Sequence, residues 1–182
     1  VETFLRLRDL LPAPESGSAQ VIVVTSLLLA EGKSLISLNL ALAFARRTEE
    51  RVLLIDADMR RERHLKWINP KPGAGLADFL QGKAKLDDIL IRFKNSPMVF
   101  LARGVEVEET ALNLDSPPAR DLFEELRRRF GRVIVDTPPV VPFADASVLG
   151  RLSDGVVMVV RRGRTPVDLY LQALESLGST RL

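Results

Sequence analysis

Residues 21–34 read VIVVTSLLLAEGKS, and no other stretch constrains the chain as much. Val21, Ile22, Val23 and Val24 are β-branched and apolar with no helical period, the pattern of a short strand buried on both faces. A loop ending in Gly32-Lys33-Ser34 follows, and residues 35–47 then carry a helical pattern. Strand, loop, Gly-Lys-Ser and helix, in that order, is the context a phosphate-binding loop requires. Backbone N–H groups of such a loop and the helix N-terminus face anionic oxygens, and the helix dipole favours their charge. Lys33 then acts as a point charge on terminal phosphates, and the Ser34 hydroxyl as a ligand of Mg²⁺. The common pattern has glycine where this chain has Leu27. The alternative is a strand–turn–helix connection with an incidental Gly-Lys-Ser, and two acidic motifs downstream weigh against it.

The first is in residues 51–59, RVLLIDADM, a second buried strand running into Asp56-Ala57-Asp58. Acids at the carboxyl end of a parallel strand point into the crevice where open α/β sheets bind ligands. Beside a phosphate loop they can hold Mg²⁺ or orient a nucleophile. Otherwise they are turn carboxylates that cap the next segment. The second is in residues 132–136, RVIVD, followed by Thr137-Pro138-Pro139. A strand ending on an acid, here Asp136, is where phosphate-loop enzymes carry the carboxylate that holds Mg²⁺ through water.

The rest of the chain frames these motifs. With 182 residues, 46% of them hydrophobic, it suits one domain with a sizeable core. A net charge of +2 gives no whole-chain argument for nucleic acid or anionic lipid. There is no cysteine and one histidine, which excludes disulfide and thiol chemistry, argues against a His-rich metal site and is compatible with the cytoplasm. No apolar run reaches membrane-spanning length, and residues 1–11 do not form a signal peptide.

Residues 1–11 place Val1, Phe4, Leu7 and Leu11 on one helical face, with Glu2, Arg6, Arg8 and Asp9 on the others. This is either a solvated amphipathic helix packed on the body or an oligomer contact. Residues 12–19, PAPESGSA, form a linker. The run Arg60 to Arg63 with His64 reads as a solvated face or a partner contact, residues 67–75 as a turn-rich surface segment, and residues 106–109 as an exposed acidic stretch. Helices are expected at 76–80, 86–93, 116–130, 145–152 and 166–177, and further strands at 98–102 and 155–160. Strands alternating with helices predict an α/β fold: a doubly wound, mostly parallel sheet flanked by helices. The domain division is an N-terminal helix and linker over 1–19 and a nucleotide-binding unit over 20–182. Because the chain stops after a helix where another buried strand is due, truncation is expected, with a further strand and helix beyond Leu182.

Taken together, TSLLLAEGKS, LLIDADMRRERH and VIVDTPPV resemble the bacterial tyrosine kinases of capsule and exopolysaccharide synthesis. These are similar in fold to the partitioning and septum-site ATPases. The resemblance also covers GAGLADFLQGK, Asp145-Ala146 and the Thr165 region. Leu28 stands where the related ATPases carry a second lysine, which favours the kinase branch. The resemblance implies that Ala30, Glu31, Gly32, Lys33, Ser34 and Leu35 contact ATP. It implies that Lys33, Asp56 and Asp58 are catalytic, one of the acids polarising the tyrosine hydroxyl, and that Ser34, Asp56, Asp58 and Asp136 serve Mg²⁺. Arg60 belongs to the family's basic stretch.

The chain departs from the family pattern in several places. Leu29-Ala30 replace Pro-Gly in the loop, and Ala30 costs about 1–2 kcal/mol if the backbone there needs positive φ. Glu62 replaces proline, and residues 109–116 lack the usual Asn-Pro-Ala-Glu-Leu-Leu. Leu5 replaces the first arginine of the family's ring-forming segment, which Glu2 and Arg8 otherwise fit. Tyr170 is the single tyrosine, in a helix, whereas the family ends in a tyrosine-rich tail.

The implied function is an ATP- and Mg²⁺-dependent protein-tyrosine (auto)kinase domain regulating exopolysaccharide synthesis and export. Its expected partner is a membrane-embedded polysaccharide co-polymerase or chain-length regulator, which would hold it at the inner face of the cell membrane. A homo-oligomer through the N-terminal helix is a further expectation, and nucleic acid is not expected. The alternatives are a non-kinase ATPase switch and a degenerate scaffold of the same fold.

Overall fold

The computed structural model describes residues 2–11, 19–46, 51–59, 68, 73–104 and 114–177. The basic run from Arg60, His64, most of the 67–75 segment, the 106–109 stretch and most of the linker lie outside the described residues.

Thirteen elements follow in order among the described residues: α1 (Glu2–Leu10), β1 (Gln20–Ser26), α2 (Lys33–Ala45), β2 (Val52–Asp56), α3 (Leu76–Leu80), α4 (Leu86–Ile89), β3 (Leu90–Arg92), β4 (Met98–Leu101), α5 (Pro117–Arg129), β5 (Arg132–Asp136), α6 (Asp145–Arg151), β6 (Gly155–Val159) and α7 (Val167–Leu177). The strands make one sheet ordered β3-β4-β2-β5-β1-β6, parallel except for β3 at the edge.

Alternation along each strand divides the core between two faces. Val21, Val23, Leu53, Ile55, Val133 and Val135 point to the side covered by Leu122, Phe123 and Leu126 of α5, Leu149 of α6 and Ala173 of α7. Ile22, Val24, Leu54, Phe100 and Ile134 point to the other, against Leu40, Ala41 and Phe44 of α2. The strands are buried on both sides, which is why they read as unbroken apolar runs. The α5 start follows from its sequence: the Ser116 hydroxyl accepts from the Ala119 N–H, and prolines occupy the first turn.

At the amino ends of the strands, Arg127 of α5 ties three segments together. Its guanidinium donates to Asp154 Oδ2 at 2.7 Å, to Ala19 O at 3.0 Å and to Leu152 O at 3.0 Å, while the Val21 N–H donates to the same Asp154 oxygen. Arg129 bridges Glu125 and Asp87 and so fixes α4 against α5. Its hydrogen bond holds the Asp87 carboxyl below the usual carboxylate range.

Two expectations need correction. The helix expected over 86–93 ends at Ile89, and Leu90–Arg92 pairs antiparallel with β4, Ile91 facing Phe100. The open edge of β4 offers backbone partners, and Asn95, at φ 61, supplies the left-handed residue of the turn between the strands. Tertiary pairing therefore overrides a locally helical pattern. Secondly, Arg8 is not on a solvated face. It is buried, and its Nη1 donates to Ala43 O at 3.1 Å in the last turn of α2, where the helix dipole favours a cation. The α1 helix packs on α2 through this contact and through Leu7. Among the described residues no helix is long and apolar enough to cross a membrane.

Candidate active site

The site forms where the winding of the sheet reverses. From β1 the chain crosses to β2 on one side, and β5 later fills the gap between them. From β5 it crosses over β1 to β6 on the other. Carboxyl ends of strands flanking such a reversal leave a crevice. Three motifs distant in sequence converge there. Asp56 and Asp136 are direct neighbours in the β2–β5 register, and Val24 lies beside Asp136 in the β1–β5 register.

The turn from β1 into α2 is short and internally tied. The Ser26 hydroxyl donates to Leu28 O at 2.7 Å, and the Leu28 N–H donates to Glu31 Oε2 at 2.8 Å. Gly32, the residue before α2, has φ 101, a conformation that L side chains rarely adopt. Lys33 and Ser34 open the helix with buried side chains, whereas Leu35 is half-exposed beside them. Two helical residues later the Ser37 hydroxyl donates back to Ser34 O.

Lys33 Nζ lies 2.6 Å from Asp58 Oδ2 and 3.8 Å from Asp136 Oδ2. The Ser34 hydroxyl donates to the same Asp136 oxygen at 2.7 Å. Asp56 Oδ1 accepts from the Asp58 N–H at 3.2 Å, which bends the backbone after β2 so that Asp58 faces the lysine. Asp136 is fully buried, and Asp56 and Asp58 are 1% and 2% exposed. Two buried carboxylates, Asp58 and Asp136, thus lie beside one ammonium, and Asp56 adjoins them through the Asp58 N–H and the β2–β5 register. The segment after β5 is pinned as firmly: Ala57 N–H donates to Asp136 O, Thr137 N–H to Val24 O and Val140 N–H to Ser26 O.

Lys33, Ser34, Asp56, Asp58 and Asp136 are therefore brought together, with Gly32 at the helix mouth. Among the described residues no three His, Cys, Asp or Glu side chains converge into a metal cage. A hydroxyl and hard carboxylate oxygens without a full protein ligand set fit Mg²⁺, which keeps waters and takes phosphate oxygens. Sequence reasoning missed one pair. Glu31 Oε1 accepts from the Thr165 hydroxyl, joining the β1–α2 turn to the loop after β6. The partners are 134 residues apart, and no local signal in either segment announces the contact.

Ala30 has φ 63, so the Cβ at this position sits in the left-handed region. Ala30→Gly is expected to stabilise the protein by about 1 kcal/mol, relief of steric cost outweighing the extra chain entropy of glycine. A thermal scan should show a rise of roughly 2–4 °C; an unchanged or lower midpoint shows that the turn tolerates the side chain.

No family model matches the chain. Among curated relatives, it is 35% identical over 161 residues to the succinoglycan biosynthesis transport protein ExoP of Rhizobium meliloti, covering 87% of this chain and 20% of that protein. It is 32% identical over 158 residues to the tyrosine-protein kinase YwqD of Bacillus subtilis, covering 87% and 66%. The chain spans about a fifth of the length of most curated relatives it matches. Among solved structures, the VpsO kinase domain superposes with a TM-score of 0.84 at 27% identity, over 100% of this chain and 88% of that one. Structures at 17% identity, partition and septum-site ATPases among them, share the fold alone. Sequence relatives and a superposition running the length of the chain meet on the same group, and the chain belongs to the family of bacterial tyrosine kinases.

Proposed function

We propose that this chain is an ATP- and Mg²⁺-dependent protein-tyrosine kinase domain acting in exopolysaccharide synthesis and export. The observation that carries the proposal is the convergence of Lys33, Ser34, Asp56, Asp58 and Asp136 at the carboxyl ends of three parallel strands. ATP supplies the phosphoryl group, and Mg²⁺ neutralises charge on it. The backbone over residues 30–35 cradles the phosphates at the α2 N-terminus, and Lys33 exchanges Asp58 for phosphate oxygens. Ser34 and Asp136, already hydrogen-bonded to each other, present hard oxygens for the metal and its waters. Asp58, released from Lys33, accepts the proton of the tyrosine hydroxyl, and Asp56 keeps Asp58 oriented through its backbone N–H. The contribution of the protein is positioning and charge neutralisation.

In the same reading residues 1–19 form an N-terminal arm and 20–182 the nucleotide-binding unit. A membrane-embedded chain-length regulator, as a separate protein or a further segment, holds the domain at the inner membrane face. The α1 helix serves oligomer contacts.

An ATPase switch is favoured by one observation: Tyr170, the single tyrosine of this sequence, lies within a helix, α7, where its backbone is held rather than free to enter the crevice. Incubation with γ-labelled ATP·Mg²⁺ and a tyrosine-containing acidic peptide separates the readings. Label on tyrosine, lost in Asp58→Asn, is the expected result. Free phosphate without phosphotyrosine establishes the switch, and absence of nucleotide binding by folded protein leaves a scaffold.

A further inference from the structure

The loop between β6 and α7 carries Arg161, Arg162 and Arg164, all exposed. Several arginines of the described surface reach a carboxylate: Arg120 meets Asp115, Arg127 meets Asp154, and Arg129 meets Asp87 and Glu125. These three reach none among the described residues. Among the described residues, three guanidinium groups within four positions therefore stand without a carboxylate partner, in a chain whose net charge is only +2.

The loop is also held in one shape and one place. The Arg161 N–H donates to Thr165 Oγ1 at 3.0 Å, and the N–H groups of Arg164 and Thr165 both donate back to Arg161 O. Gly163, at φ 76, closes the turn. This self-bonded loop is latched to the β1–α2 turn, because the Thr165 hydroxyl donates to Glu31. β1 and β6 are paired with Ser26 beside Val159, so the turn and the arginine loop leave the sheet from the same end, side by side. The arginines thus border the crevice that holds Lys33 and the three carboxylates.

We infer that Arg161, Arg162 and Arg164, latched beside the site by Thr165 and Glu31, form the docking surface for an acidic peptide segment that presents the acceptor tyrosine. The inference rests on the kinase reading above for the identity of the acceptor. Its physical logic is complementarity: the crevice interior is carboxylate-rich and repels an acidic segment, whereas a cationic rim attracts it and sets its approach. Arginine suits this task because its planar fork takes carboxylates bidentately. A nucleic-acid or lipid partner is less well served, since the chain carries little net charge.

The test uses fluorescence anisotropy, without nucleotide, of a labelled peptide carrying one tyrosine flanked by four glutamates. The protein is compared with the triple variant Arg161→Gln, Arg162→Gln, Arg164→Gln. Wild type should bind, and the triple variant at least tenfold more weakly. The same peptide with glutamines for glutamates should bind wild type as weakly as the triple variant binds the acidic one. Thr165→Val, which keeps the arginines and loses the latch to the Glu31 carboxylate, should weaken binding by a smaller factor, about threefold, because the arginine charges remain and only their placement loosens. ADP affinity, measured separately by calorimetry, should be unchanged in the triple variant.

Equal peptide binding by wild type and triple variant, or by the glutamate and glutamine peptides, overturns the inference. So does loss of ADP affinity in the triple variant, which assigns the arginines to the nucleotide. Because peptide binding is read without nucleotide, failure of the kinase proposal leaves this measurement interpretable.

Discussion

Lys33→Met is expected to destabilise the nucleotide-free protein by about 3 kcal/mol and to weaken ATP·Mg²⁺ binding at least a hundredfold. The first effect follows from the apo geometry alone. The Lys33 side chain is 7% exposed, and its ammonium lies 2.6 Å from Asp58 and 3.8 Å from Asp136, both almost fully buried. Removing one partner of a buried pair leaves a charge that water cannot reach, at about 3–5 kcal/mol. For a chain of this size that corresponds to a midpoint roughly 6–12 °C lower. The second effect follows from loss of the point charge on the terminal phosphates, a hundredfold being about 2.8 kcal/mol. Calorimetry of ATP·Mg²⁺ binding and a thermal scan read the two separately. The double variant Lys33→Met, Asp58→Asn should recover part of the stability but none of the affinity, since the first loss is mutual and the second is not. A single variant as stable as wild type shows that the Lys33–Asp58 contact contributes nothing to the fold. Undiminished nucleotide affinity removes Lys33 from the site.

Much of this site is legible in the sequence because each motif sits where secondary structure stops. Val21 to Val24 and Val133 to Val135 are buried on both faces, so their apolar runs end where the sheet ends, and the residues just past them line the crevice. That is why Lys33, Asp56 and Asp136 can be placed together without coordinates. The expected strain at Ala30 is legible for a similar reason: a tight turn into a helix draws on left-handed conformations, and the residue found there has a Cβ.

What the sequence hides is pairing over long distances. Residues 90–92 look helical until the β4 edge is present to bond them. Arg8 looks like a surface charge until the carboxyl end of α2 lies beneath it. Thr165 looks like a loop residue until Glu31 arrives from the other side of the β1–β6 pair. In each case a polar group takes a partner fixed by topology, and neither periodicity nor local spacing encodes topology. Nor does the pattern of residues 86–93 record which of two hydrogen-bonding solutions has a neighbour available.

Asp136→Asn should not lower stability as Lys33→Met does. Asp136 shares its surroundings with Asp56, its neighbour across the β2–β5 register, and with Asp58 through Lys33. Replacing one of three buried carboxylates by an isosteric amide lowers their mutual repulsion and leaves an oxygen to accept from Ser34, which now donates at 2.7 Å. The nucleotide-free variant is therefore expected to melt no lower than wild type, while Lys33→Met melts lower. A packing defect lowers both; an electrostatic arrangement lowers only the variant that loses the cation. Function should separate in the same way. The amide cannot hold metal-bound water as a carboxylate does, so Mg²⁺ should no longer strengthen ATP binding, whereas ADP affinity in EDTA should stay within about threefold of wild type. Phosphoryl transfer to tyrosine, where wild type shows it, should fall on the order of 10²–10³-fold, the scale of losing one charge-stabilising group. Calorimetry with and without Mg²⁺ is the deciding measurement. If Mg²⁺ still tightens ATP binding in Asp136→Asn, the metal is held by Asp56, Asp58 or Ser34, and the role given to Asp136 is wrong. If the benefit of Mg²⁺ is lost while ADP still binds, Asp136 serves the metal and the backbone over residues 30–35 serves the nucleotide.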